Sequence, residues 1–193
     1  MKQLQNPPFL RLNLGCGNKK YRGFWNTDRT ASVQPDEVID LEEPLPYPDH
    51  FFEEIRCCQV LQYLHPDRIL PAIKEMLRVS DSACIIKLRL AHALNGNGVS
   101  LANIGHNLEY GFFPEDFWKL DKRYRSKNND WDDLDFSCQI IRCYIELHAN
   151  NWWPVKCIET WVNAGGCKRH KDYARTFISR LFPPRCIEIW LRK

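Results

Sequence analysis

The sequence predicts a single α/β domain over residues 1–193, built on a mostly parallel sheet with a final antiparallel strand. Three observations predict it. Short apolar runs bounded by turn residues recur along the first half of the chain. One clearly amphipathic helical stretch lies between two of them. The polar residues best suited to chemistry stand just past the carboxyl ends of the runs, where open α/β sheets form their ligand crevice.

The first strand is expected over residues 9–14, rich in large apolar side chains and closed by Gly15. A short second strand spans 23–28 and a third spans 37–40. The loop that follows, LEEPLPYPDH, cannot be regular structure, because Pro44, Pro46 and Pro48 recur at every second position. A fourth strand covers 54–60. Residues 66–79 predict a helix: Pro66 suits a first-turn position, Asp67 stands beside it, and Ile69, Ile73 and Leu77 form one stripe. A fifth strand, 83–90, follows directly, with Ser80-Asp81-Ser82 as the turn between. Beyond it the pattern loosens. Residues 91–113 read as a long loop, 114–125 as a helix, 138–148 as a strand, 170–181 as a helix and 186–191 as the antiparallel last strand.

Composition narrows the function classes. With 44% hydrophobic, 26% charged and 12% aromatic residues, the chain folds around a core, and disorder, collagen-like repeats and coiled coil are poor fits. No apolar run approaches the roughly 18 to 20 residues of a membrane-spanning helix, and the opening MKQLQNPPF lacks the apolar stretch of a secretory signal. A cytoplasmic location is therefore expected. Nine cysteines are an odd number, and the pair Cys57 and Cys58 sits in an apolar run where thiols behave as small core residues, so reduced thiols are expected. Of the late ligand types, only Cys167 and His170 are tightly spaced, with Cys157, Cys138 and Cys143 farther off; this suits no structural zinc, and no metal is expected. The formal charge of +3 is uneven: residues 151–193 carry nine Lys or Arg against three acids, and Lys122, Arg123, Arg125 and Lys127 add a second basic cluster. Such clusters suit phosphates of a nucleotide sugar, a lipid carrier or a nucleic acid.

The chemistry concentrates in the first βα turn, L-N-L-G-C-G-N. A Gly-x-Gly after an apolar strand lets backbone approach a ligand with no side chain in the way. Asp28, at the end of the next strand, can accept hydrogen bonds from both hydroxyls of a ribose. Spacing then discriminates between cofactors. A dinucleotide fold needs a full crossover helix for its pyrophosphate and an acid about 20 residues past the glycines. Here ten residues separate Gly17 from Asp28, and the last of them are already strand. NAD is disfavoured, whereas S-adenosylmethionine carries no phosphate and needs no such helix.

The segments LNLGCGNKKYRGFWNTD and VIDLEEPLPYPDHFFEEIRCCQVLQYL resemble the class I S-adenosylmethionine-dependent methyltransferases, and more narrowly the methyltransferase domain 11-like branch with a shortened first helix. The resemblance is specific over residues 12–90 and continues more faintly in GHNLEYGFFPEDFWKL and LFPPRCIEIWLRK. It implies a Rossmann-like sheet, a cofactor-binding half over residues 9–90 and an acceptor-binding half over residues 91–193. It further implies that Gly15 and Gly17 line the methionyl part of the cofactor, with Cys16 between them also cofactor-binding, that Asp28 binds the ribose, that Asp40 and Leu41 meet the adenine, and that Gln59 lies near the sulfonium or the acceptor. The chain departs from the branch where an acid and a histidine are common, having Gln62 and Tyr63, and where Pro-Gly-Gly is usual, having Ser80-Asp81-Ser82.

Methyl transfer is an in-line displacement at carbon, so the protein must align the acceptor and, for an alcohol, remove a proton. His106, in the Gly- and Asn-rich loop after the fifth strand, is the candidate base, since its ordinary pKa lies near neutrality. Five of the seven tryptophans, at 118, 131, 152, 153 and 161, fall in the second half together with the basic clusters. The expected acceptor is therefore a sugar or small-metabolite hydroxyl, a glycan modification in the broad sense. Two other readings stand beside it: a nucleic-acid methyltransferase using the basic tail as a groove, and a non-catalytic partner of an active enzyme.

Overall fold

A computed structural model describes residues 7–91, 117, 120–124, 134–147, 157, 160 and 184–193. Its frame is a seven-stranded sheet of order β3-β2-β1-β4-β5-β7-β6. The strands are β1 (Arg11–Leu14), β2 (Trp25–Asp28), β3 (Glu37–Val38), β4 (Phe52–Cys58), β5 (Ser80–Ala91), β6 (Gln139–Leu147) and β7 (Pro184–Arg192). The pairs from β3 through to β5 are parallel, and β7 inserts antiparallel between β5 and β6. The α/β sheet with one antiparallel strand is thus as the sequence predicts.

Helix α1 (Pro66–Val79) links β4 to β5, with Pro66 in its first turn and Asp67 at its positive end. Ala72, Ile73, Met76 and Leu77 on its inner stripe join the core formed by Leu12, Leu14, Ile55, Cys57, Ile86 and Leu88. Those strand residues alternate along their strands, so they share one sheet face. The opposite face is polar. Register places Asn26, Asn13, Arg56, Lys87, Trp190 and Arg142 in one row across six strands. Glu54 accepts from Arg56 at 2.9 Å and Lys87 at 2.8 Å. Burial alone would raise its pKa, but these two cations hold the carboxyl below its usual range. Lys87 and Arg142 flank the Trp190 ring at 5.0 and 4.7 Å, and Arg56 lies over both Tyr21 and Phe24 at 4.8 Å. A parallel sheet covered on both faces reads as continuous apolar runs. Here side chains, in place of a helix between β1 and β2, dress one face.

Several boundaries differ from expectation. β1 starts at Arg11 because Phe9 and Leu10 are 40% and 46% exposed and lie outside the paired register. β2 begins after Gly23, whose φ of +79° breaks the extended run. β4 stops at Cys58, since Gln59 turns into the left-handed region. β5 starts at Ser80 with no separate turn: Ser80 pairs with Phe52, and the ladder resumes at Ile85 opposite Glu54. The expected turn Ser80-Asp81-Ser82 survives only as that irregularity, with Asp81 accepting the Ala83 N–H. In the expected helix over 114–125, Phe117 is helical and the chain closes in a 3-10 turn at Lys122–Tyr124. Residues 92–113 of the expected loop, the expected helix over 170–181 and the five tryptophans of the second half lie outside the described residues.

Candidate functional site

The strand order reverses at β1, whose neighbours are β2 and β4, and a crevice opens there at the carboxyl ends. A cavity of ≈ 300 Å³ occupies it, lined by Gly15 and Gly17 after β1, Asp28 after β2, Leu41 beyond β3, and Gln59 after β4. Five of the seven expected cofactor-site residues therefore converge. Gly15 has φ +64°, and a Cβ there would stand 2.2 Å from Val60 Cγ2. Gly17 has φ +51° with open space where its Cβ would be.

Asp28 does two things. Its Oδ2 accepts the Gly17 N–H at 2.8 Å and its Oδ1 accepts the Thr30 N–H at 2.9 Å. The carboxylate thereby pins the glycine turn, and each oxygen keeps a further lone-pair direction for a ligand hydroxyl. The 15–24 connection contains no helix, and two strand amides satisfy its backbone instead. Asn13 donates to Lys19 O and to Asn26 Oδ1, while Asn26 accepts from the Tyr21 N–H and donates to Tyr21 O and Phe24 O. Asp36 Oδ2 holds Asn26 from the far side.

The other expected residues sit apart from the cavity. Asp40 is exposed and its Oδ1 accepts the Glu42 N–H, while the preceding Ile39 takes a place in the lining. Cys16 is 5% exposed and faces a neighbouring hollow; burial, with Asp28 nearby, pushes its thiol pKa up. His106 lies outside the described residues, as do Cys167 and His170. Cys57 is buried and Cys58 partly so, both as free thiols. Among the described residues, no three His, Cys, Asp or Glu side chains are grouped to hold a metal.

Sequence reasoning passed over Thr27, Arg29, Thr30, Val60 and Leu64, all of which line the cavity. Val60 and Leu64 carried a signal, being apolar residues just past a strand end. Tyr63, one of the two departures, also lines the cavity. Gln62, the other, is 1% exposed and donates to Gln59 Oε1 at 2.7 Å, while its own Oε1 has no partner among the described residues. That bond fixes the Gln59 side chain at the cavity rim, on a residue already held at φ +59°.

No family model matches the sequence, and no curated protein does. Solved structures are similar in fold. An S-adenosylmethionine-dependent methyltransferase from Archaeoglobus fulgidus aligns over 95% of this chain and 85% of its own, at 12% identity and TM-score 0.58. One from Methanosarcina mazei aligns over 95% and 91%, at 12% identity and TM-score 0.55. The [4+2]-cyclase SpnF aligns over 100% and 77%, at 15% identity and TM-score 0.55. The chain has the class I methyltransferase fold.

Proposed function

We propose that this chain is an S-adenosylmethionine-dependent methyltransferase that acts on a hydroxyl of a sugar or small metabolite. A cyclase on the same fold means that fold alone does not set the reaction, so the reading rests on the site. The observation that carries it is the pairing of a glycine cradle with a ribose-type acid in a crevice that has no pyrophosphate-binding helix.

The residues present fit the cofactor. Gly17 leaves open the space that a side chain would fill, Asp28 has acceptor capacity beyond the two N–H groups it binds, and Ile39, Leu41 and Leu64 offer an apolar wall for a ring. When bound, S-adenosylmethionine supplies an electrophilic methyl carbon on a cationic sulfur. The chain holds the ribose through Asp28, flanks the adenine with Ile39 and Leu41, and keeps neutral or acceptor groups, Gln59 among them, toward the sulfur. His106 takes the acceptor's proton.

Calorimetric titration with S-adenosylhomocysteine and with NAD tests the cofactor. Saturable binding of the first and none of the second is expected; the reverse would overturn the reading. For the base, His106→Ala should cut turnover by about 10²- to 10⁴-fold while leaving cofactor affinity nearly intact. A loss below about tenfold would remove His106 from the chemistry.

A further inference from the structure

The apolar walls of the cavity come from two separate parts of the chain. Ile39 and Leu41 follow β3, whereas Tyr63 and Leu64 close the 3-10 turn that leads into α1. Leu41 and Leu64 are both buried and belong to the main core. The gap between the two walls therefore depends on how the β3–β4 loop is held to the start of α1.

One side chain joins them. Glu42 Oε1 accepts the His65 N–H at 2.9 Å. His65 is the N-cap of α1 and makes no side-chain cap bond of its own. In a capping box the third helical residue, a Glu or Gln, reaches back to the N-cap N–H. Here that residue is Arg68, which can only donate. Glu42, from the loop after β3, supplies the acceptor instead, and its negative charge suits the positive end of the helix. Asp40 sets the turn that presents it: its Oδ1 accepts the Glu42 N–H at 3.0 Å and its carbonyl accepts the Glu43 N–H at 3.2 Å. Farther along the loop, Glu75 accepts the Leu45 N–H at 2.9 Å, and Arg78 donates to the carbonyls of Leu45 and Tyr47 at 2.8 and 2.9 Å. Both ends of α1 thus hold this loop. Among these ties, only the Glu42 bond joins the neighbours of Leu41 and Leu64.

We propose that Glu42 is a positioning residue for the ring end of the cavity: its bond to the His65 N–H holds the Leu41 and Leu64 walls at the spacing that grips a planar ring. The proposal rests on the reading of the cavity as the methyl-donor site. Glu42 itself touches no ligand. Without its bond the two walls part in the free protein, and some of a ligand's binding free energy goes into closing them again. Asp40, read from the sequence as an adenine contact, then acts one step back, by shaping the turn that carries Glu42.

The test is calorimetry of the full chain with S-adenosylhomocysteine, beside thermal melting of the ligand-free variants. Glu42→Ala should weaken binding about three- to tenfold, the share of one hydrogen bond. Glu42→Gln keeps an acceptor at the same place and should stay within about twofold of wild type. Glu43→Ala, at an exposed neighbour, should change nothing. Glu75→Ala separates positioning from general loop stability, because it removes a tie at the far end of the same loop. It should lower the melting temperature at least as much as Glu42→Ala does, yet leave affinity within about twofold of wild type. Hydrogen exchange at the His65 amide of the free protein should quicken in Glu42→Ala and not in Glu42→Gln. If Glu42→Ala binds as tightly as wild type, if Glu42→Gln fails to restore affinity, or if Glu75→Ala weakens binding equally, Glu42 has no positioning role. If the wild type itself fails to bind S-adenosylhomocysteine, the donor-site reading falls and this proposal falls with it.

Discussion

Replacing Gly15 by alanine puts a methyl group where two separate costs arise. The first is conformational: at φ +64° an L-residue loses about 1–2 kcal/mol relative to glycine. The second is steric, because the added Cβ would lie 2.2 Å from Val60 Cγ2 and 3.0 Å from Cγ1, well inside contact distance. Overpacking of this kind costs about 1–3 kcal/mol once neighbours have shifted, and Val60 sits on a loop that can yield part of the distance. Gly15→Ala should therefore destabilise the fold by about 2–5 kcal/mol. Urea denaturation measures the sum, and the double variant Gly15→Ala/Val60→Ala separates its parts. Removing both Val60 Cγ atoms should recover the steric share and leave the conformational one, a coupling of about 1–3 kcal/mol. If the two substitutions are simply additive, Val60 does not stand beneath Gly15 and the described packing of the turn is wrong.

Gly17→Ala offers the contrast: its added methyl meets no protein atom, so only about 1–2 kcal/mol of stability should go, while calorimetry should find S-adenosylhomocysteine binding abolished by a group standing in the cavity. Asp28→Ala should weaken that ligand by about 2–3 kcal/mol, roughly 30- to 160-fold in dissociation constant, through loss of two charge-assisted bonds; an unchanged constant would mean that the carboxylate serves only the turn. Asp121 sets an acid limb. Burial works to raise its pKa, but the Arg123 guanidinium and the N–H groups of Ile140 and Arg123 prevail and hold the carboxyl below its ordinary 3.8. Its contribution is then fully present above that ordinary value and is lost as pH falls toward the lower folded value. Melting temperature against pH should show Asp121→Asn less stable at pH 7 yet flatter below about pH 4 than the wild type.

What the sequence could tell depends on whether the deciding force is local. Helix α1 was legible end to end, because Pro66, Asp67 and the four-residue stripe are local signals and nothing tertiary opposed them. The ends of β1 and β4 were not. Phe9 and Leu10 look like strand by propensity, yet both stand well exposed and outside the β1–β4 register. Gln59 looks like the last strand residue until its φ is known, and a positive φ on a glutamine has no sequence signature. For the site, glycine and aspartate types at strand ends were enough to find Gly15, Gly17 and Asp28. They could not tell Asp40 from Ile39, since which of two adjacent residues faces a crevice depends on the register in which β3 pairs with β2. The neighbouring hollow was invisible, because Lys19 on the connection and Cys58 and Arg89 on the sheet are distant in sequence.

The amide pair Asn13 and Asn26 bears on how the glycine turn can open. An ordinary crossover helix carries its own hydrogen bonds and can fray or melt as a local unit while the sheet beneath it stays whole. The 15–24 connection has little such internal structure, and much of its backbone bonding terminates on side chains rooted in β1 and β2. Its exchange with solvent deuterium is therefore expected to follow separation of those two strands, at the slow rate of the sheet. Positions 13 and 26, though they lie in strands, are in that sense loop residues: a change at either one loosens the turn before it loosens the ladder.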